Sequence, residues 1–324
     1  MLTKTKQEII DYIDRLKRAT VIELMRELGI SRQAAQKHMR DLIDKGFLTK
    51  YGSVPHVYYV LTPTRSKRTS VVIDKNTSSI IDKHFLFISA TGERQEGIPG
   101  FIAWCTKHKL PIDKTAHEYE ATLSKYNHYR HNGFIDGTYK LRHTFPTVYL
   151  DKSFYLDFYS IERFGKTKLG QLLLYAKQSQ DRGLIRELVE EIRPKIELLL
   201  SQYAVNAIGF IPPTVKRELQ FMRELERQLH LQLSRIPIVK AKTAIVVPQK
   251  TLTKLDERIE NAHHTIFIND TPSYDTVLLI DDALGSGATL NETARKLKEQ
   301  RIAHNVIGLA ITGSFSGFEI ISEV

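Results

Sequence analysis

The run Thr276–Leu290, TVLLIDDALGSGATL, sets two adjacent carboxylates at the end of an apolar segment and follows them with glycines and small residues. Backbone N–H groups of Gly285, Ser286, Gly287 and Ala288 can converge on a phosphate where no side chain blocks its approach. A helix beginning just after them would turn its positive end toward the same anion. Ser286 and Thr289 would add hydroxyl donors. Asp281 and Asp282 would repel a phosphate, so they have to face something else, and the paired hydroxyls of a ribose suit two acceptors. A sugar phosphate satisfies the whole stretch.

Such chemistry needs elements to carry it. TVLLI is short and apolar throughout, as expected of a central parallel strand covered on both faces. LNETARKLKEQ is amphipathic through Leu290, Ala294 and Leu297 and predicts a helix. The turn between them lies at the carboxyl end of a strand, where open α/β sheets bind ligands. The pattern predicts a parallel sheet with strand 276–280 central, flanked by 205–211 and 305–312.

The 324 residues suffice for two or three domains, and 42% hydrophobic against 26% charged is a globular balance. No apolar run approaches the roughly 20 residues of a membrane span. MLTKTKQEIIDYIDRL has no signal-peptide pattern, so a cytoplasmic location is expected. Cys105 is the single cysteine, which excludes a disulfide framework and a multi-thiolate metal site. Of the net charge of +10, residues 1–70 supply +7, with 14 Lys and Arg against 7 Asp and Glu. So concentrated a positive charge suits a polyanionic partner.

In that basic stretch, Ile9, Ile10, Ile13 and Leu16 have helical spacing. Thr20 reads as the cap of VIELMREL with Gly29 as its stop, and Ser31 as the cap of a third helix stopped by Gly46. FLTKYGSVPHVYYVLTP reads as two strands around a polar turn. Three helices and a hairpin in about sixty residues form a winged helix-turn-helix, and ATVIELMRELGISRQAAQKHMRDLIDKGFL resembles the DNA-binding domains of bacterial regulators. That resemblance implies a third helix in the major groove, presenting Arg32, Gln33, Gln36, Lys37 and Arg40, with Lys50 near the wing. A winged helix used only for protein contacts is the alternative.

Residues 64–150 read as a linker followed by a mixed region of unassigned role. VVIDKNTSSIIDKHFLFISA fits two strands or a strand and a helix. Trp104 and Cys105 read as core, His128 and His131 as surface residues.

The acid pair and its small-residue turn resemble the PRPP-binding motif of type I phosphoribosyltransferases, with a ComF-like branch the most similar over about 155–315. The resemblance implies an α/β, phosphoribosyltransferase-like domain at 151–324 behind a winged helix at 1–63. It implies Asp281 and Asp282 on the ribose, Gly285, Ser286, Gly287, Ala288 and Thr289 on the 5′-phosphate, and a pyrophosphate loop of Pro212, Pro213, Thr214, Lys216 and Arg217. It further implies a flexible loop carrying Gln249, Arg258 and Asn261, and Mg²⁺ entering with PRPP rather than on protein ligands alone. The zinc-binding cysteines of ComF-like proteins are absent. Gly285 stands where 6-oxopurine transferases carry an aspartate base, and no catalytic residue is evident. The implied partners are DNA, with RNA or a nucleoprotein as alternatives, PRPP or a nucleotide, and a second copy of the chain in a homodimer. Two functions follow: a PRPP- or nucleotide-responsive regulator, or an active phosphoribosyltransferase or nucleotide-metabolising effector of a defence or toxin system.

Overall fold

The computed structural model describes residues 3–52, 54–62, 73–213, 217–241, 247, 251–270 and 272–314. The chain divides into two compact units, Met1–Val72 and Ile73–Val324.

In the first unit, helices Lys4–Leu16, Val21–Leu28 and Arg32–Asp44 precede an antiparallel pair, Leu48–Tyr51 and Tyr58–Leu61. The capping residues set the helix starts. Thr20 and Glu23 form a reciprocal capping box, with Thr20 N donating to Glu23 Oε2 at 2.7 Å and Glu23 N donating to Thr20 Oγ1 at 3.3 Å. Ser31 Oγ accepts from Ala34 N at 3.2 Å. Gly29 takes the left-handed conformation, φ +61, that ends the second helix. Ile9, Ile13, Leu24, Met39, Leu42 and Leu48 close a small core.

The second unit is built on a seven-stranded sheet. In spatial order its strands are Ser234–Arg235, Ala207–Phe210, Tyr274–Leu284, Ala303–Gly313, Lys152–Phe158, Phe134–Asp136 and Arg130–His131. The first five are mutually parallel, and the last two form an antiparallel edge. The strand Tyr274–Leu284 is flanked by Ala207–Phe210 and Ala303–Gly313, as its apolar run predicts. Val277, Leu278, Leu279 and Ile280 are each 0% exposed. Val277 and Leu279 join one hydrophobic cluster with Trp104, Leu290 and Leu297, whereas Leu278 and Ile280 join another with Leu172, Leu188 and Leu225. The period-2 alternation of a strand therefore feeds two cores, one on each face.

The stretch before residue 150 belongs largely to this unit. A helix, Lys75–His84, and a strand, Leu86–Ile88, settle VVIDKNTSSIIDKHFLFISA as helix then strand. Trp104 and Cys105 are buried, and His128 and His131 are exposed. Among the described residues no helix is long and apolar enough to cross a membrane.

Candidate functional site

The chain leaves strand Ala207–Phe210 toward the edge strand Ser234–Arg235, then returns to lay Tyr274–Leu284 on the other side of Ala207–Phe210. The strand order reverses at that point, which puts a crevice outside the carboxyl ends of these two strands. Asp281 and Asp282 stand at this end of Tyr274–Leu284, and Ile211, Pro212, Pro213 and Arg217 lie just after Ala207–Phe210. A cleft of about 590 Å³ opens beyond the end of Ala207–Phe210, walled in part by Pro212, Pro213, Arg217 and Lys240, with neither acid in its lining. Thr214, Lys216 and Gln249 lie outside the described residues.

Adjacent residues on a strand point to opposite faces, and the two acids do so here. Asp282 accepts an ion pair from Lys177 Nζ at 2.6 Å, from the helix Lys168–Ser179 that packs on the Ile280 face. Asp281 lies on the other face and interacts electrostatically with both Lys177 and Lys240. Burial, with the neighbouring Asp282 charge adding to it, pushes the Asp281 carboxyl up to about 7. Burial pulls Lys240 down to about 8, against the attraction of Asp281. Asp282 N also donates to Asp281 Oδ1 at 2.8 Å. Sequence reasoning missed both lysines. Lys177 is 105 residues from its partner, and no local pattern separates it from the other lysines.

After Leu284 the chain turns through Gly285, Ser286 and Gly287 into the helix Ala288–Glu299. Two of the N–H groups expected to meet a phosphate already have partners: Gly285 N donates to Ala283 O at 3.2 Å, and Ala288 N to Ser286 Oγ at 3.3 Å. Gly287 is required for a reason other than the one its sequence suggests. It caps the helix at φ +81, and a Cβ there would fall 2.3 Å from Leu141 Cδ2. The missing side chain thus makes room for the core.

Arg217 Nη1 donates to Lys177 O at 2.6 Å, which ties the loop after Ala207–Phe210 to the helix bearing Lys177. Arg258 and Asn261, expected on a flexible loop, are in the helix Leu255–Thr265. Arg258 is buried and its Nε donates to Leu252 O at 2.7 Å, while Asn261 O accepts from Thr265 Oγ1 at 2.5 Å.

Among the described residues one trio has metal-ligand types, Asp74, His117 and Glu120. Its carboxylates are already committed. Asp74 Oδ1 caps the helix Lys75–His84 through Asn76 N and Thr77 N, and Glu120 accepts from Asn76 Nδ2 and Thr77 Oγ1. A helix cap accounts for it.

In the first unit, Arg32, Gln33, Gln36, Lys37 and Arg40 are all exposed on the helix Arg32–Asp44, and Lys50 is exposed on the strand Leu48–Tyr51. Among the described residues Arg32, Lys37, Arg40 and Lys50 form no ion pair, although Lys6 and Lys45 of the same unit both engage Asp41.

Residues 2–49 match the family model described as winged helix-turn-helix DNA-binding. No curated protein matches the chain. Among solved structures, an adenine phosphoribosyltransferase is similar at 16% identity and TM-score 0.28, over 42% of this chain and 73% of its own. A hypoxanthine-guanine phosphoribosyltransferase from Bacillus anthracis is similar at 14% identity and TM-score 0.25, over 40% of this chain and 65% of its own. A hypoxanthine phosphoribosyltransferase from Staphylococcus aureus is similar at 16% identity and TM-score 0.23, over 38% of this chain and 61% of its own. At these scores the likenesses carry no weight for the chemistry, which has to be read from the turn itself.

Proposed function

We propose that the α/β unit binds a phosphorylated ribose, PRPP or a nucleotide, and that the winged unit binds DNA in response to that ligand. The observation that carries this reading is the acid pair at a strand's carboxyl end, beside the reversal of strand order, leading directly into a glycine-bearing turn and a helix N-terminus. In this reading Gly285–Thr289 hold the 5′-phosphate, Asp281 and Asp282 take the ribose hydroxyls, and Pro212, Pro213 and Arg217 border the diphosphate. With Asp282 on Lys177 and Asp281 beside Lys240, the donor set suits Mg²⁺ carried in by a diphosphate sugar rather than caged by the protein. Arg32, Lys37, Arg40 and Lys50 supply phosphate contacts, and Gln33 and Gln36 reach base edges.

Binding without turnover fits the turn, since Gly285 offers no carboxylate to deprotonate an acceptor. One observation favours a second reading, an active transferase: Asp281, with its carboxyl raised to about 7, has the affinity for protons that a general base requires. Calorimetry with PRPP and Mg²⁺, gel shifts on duplex DNA with and without PRPP, and a pyrophosphate-release assay over a panel of bases test both. The regulator predicts PRPP heat, a PRPP-dependent shift and no release. Turnover on any base would establish the transferase, and absence of PRPP heat would remove the sugar-phosphate site.

A further inference from the structure

We propose that Lys177 makes this site selective for a diphosphate-bearing sugar over a monophosphate, by moving its ammonium from Asp282 to the incoming diphosphate; the inference rests on the sugar-phosphate reading above. Without ligand, Lys177 Nζ lies 2.6 Å from Asp282 Oδ2, and the two side chains are only 21% and 24% exposed. The pair is mostly removed from water yet close enough to the rim for the ammonium to be reached. A carboxylate whose oxygen already holds an ammonium is a poorer acceptor for a ribose hydroxyl. A ligand gripped by its hydroxyls therefore meets an Asp282 whose Oδ2 is already engaged by Lys177 and whose charge is partly neutralised.

The backbone around Lys177 places that competition next to the expected diphosphate. Lys177 O accepts from Arg217 Nη1 at 2.6 Å, and Arg217 O accepts from Gln220 Nε2 at 2.8 Å. Leu219 N donates to Gln180 Oε1 at 3.0 Å, just beyond the end of the same helix. The end of the helix Lys168–Ser179 and the segment Arg217–Gln220 are thus laced together, which holds two cations, Lys177 and Arg217, at the junction between the acid pair and the cleft. The Phe221 ring, its centroid 5.9 Å from Lys177 Nζ, bounds the ammonium on one side.

The consequence differs between ligands. A diphosphate offers Lys177 an anionic partner as good as the one it leaves, so the exchange releases Asp282 to the hydroxyls with no buried charge left unpaired. A sugar carrying only a 5′-phosphate, seated at the turn after Leu284, offers Lys177 nothing and binds against an intact ion pair. A lysine that merely holds Asp282 in place would affect both ligands alike.

Calorimetry on the full chain, with Mg²⁺ present throughout, compares PRPP and ribose 5-phosphate on wild type, Lys177→Met and Lys177→Arg. Loss of a charge-assisted contact predicts that Lys177→Met weakens PRPP about tenfold or more. Ribose 5-phosphate binding should be unchanged or tighter, because Asp282 is set free. Lys177→Arg should keep the preference for PRPP, and it carries the test if the methionine variant does not fold. Equal weakening of both ligands would overturn the exchange and leave Lys177 a positioning residue for Asp282. A wild type that binds both ligands equally well overturns the selectivity while sparing the site. A wild type that binds neither removes the sugar-phosphate reading and this inference with it.

Discussion

The outward face of the helix Arg32–Asp44 and the turn after strand Tyr274–Leu284 both concentrate charge, but they hold it in opposite ways. Arg32, Lys37 and Arg40 are exposed and have no ion-pair partner among the described residues. Asp281 and Asp282 are partly buried: Asp282 is paired with Lys177, and Asp281 feels the charge of both Lys177 and Lys240. An exposed cation is solvated at no cost and can pass to a phosphate with release of counterions. A charge drawn out of water has to be compensated within the fold, so a ligand arriving there takes part in an exchange. A surface of the first kind serves an extended polyanion; a site of the second kind can discriminate between small anions.

The sharpest way to break the comparison is at the glycine that lets the acid-bearing turn close. Gly287→Val puts a β-branched side chain at φ +81 and a Cβ against Leu141, and should cost about 3 kcal/mol or more of stability in urea titrations. Leu141→Ala in the same chain should recover part of the loss. If Gly287→Val proves neutral, the glycine serves only the ligand.

On the other side of the comparison, Arg32→Ala with Lys37→Ala should weaken duplex DNA binding about tenfold or more at low salt and reduce the slope of log K against log salt by about 2. The melting temperature should not move, since neither side chain forms an ion pair among the described residues. Unchanged affinity in gel shifts would turn the winged unit into a protein-contact module.

A double-mutant cycle measures how far the second region differs from an ordinary surface. Lys177→Met combined with Asp282→Asn should give a coupling of about 1 to 2 kcal/mol in denaturant titrations. The exposed pair Arg15–Glu27 of the winged unit should give about 0.5 kcal/mol or less. Equal couplings would erase the distinction drawn here.

A last test turns on pH. A carboxyl held near 7 in the fold but near 4 when unfolded keeps its proton longer in the native state, so its contribution to stability is full below about pH 4 and is lost as pH rises through about 7. Across that window Asp281→Asn should flatten the stability profile, a change of at most about 1.4 kcal/mol per pH unit at its steepest. Denaturation midpoints at pH 5 and pH 7 decide it, and identical slopes for both proteins would show that Asp281 is not held protonated.

Much of the architecture was legible because its signals are local. Thr20 and Ser31 announce helix starts through hydrogen bonds made within a few residues, Gly29 announces a helix end through its left-handed backbone, and the structure shows each of them. The unbroken apolar run at Val277–Ile280 announces a strand with a core on either side, because a strand alternates faces whatever surrounds it. Arg258 and Asn261 were less legible. A family resemblance that implied a flexible loop could not reveal that the segment would gain a helix's backbone bonds and bury a guanidinium.

The sequence by itself determined the order of elements in the winged unit, the adjacent acids at a strand's end, the small-residue turn after them and the basic outward face of the third helix, since each depends on neighbours along the chain. Tertiary structure alone decided that Lys177 and Lys240 would meet the acid pair and that Gly287 would make room for Leu141, 146 positions earlier by residue number. It decided too that Arg217 would be tied to the helix bearing Lys177. Those partners are brought together by the packing of helices on the sheet, and the strength of a charge depends on how much water that packing removes, a quantity that no stretch of sequence carries on its own.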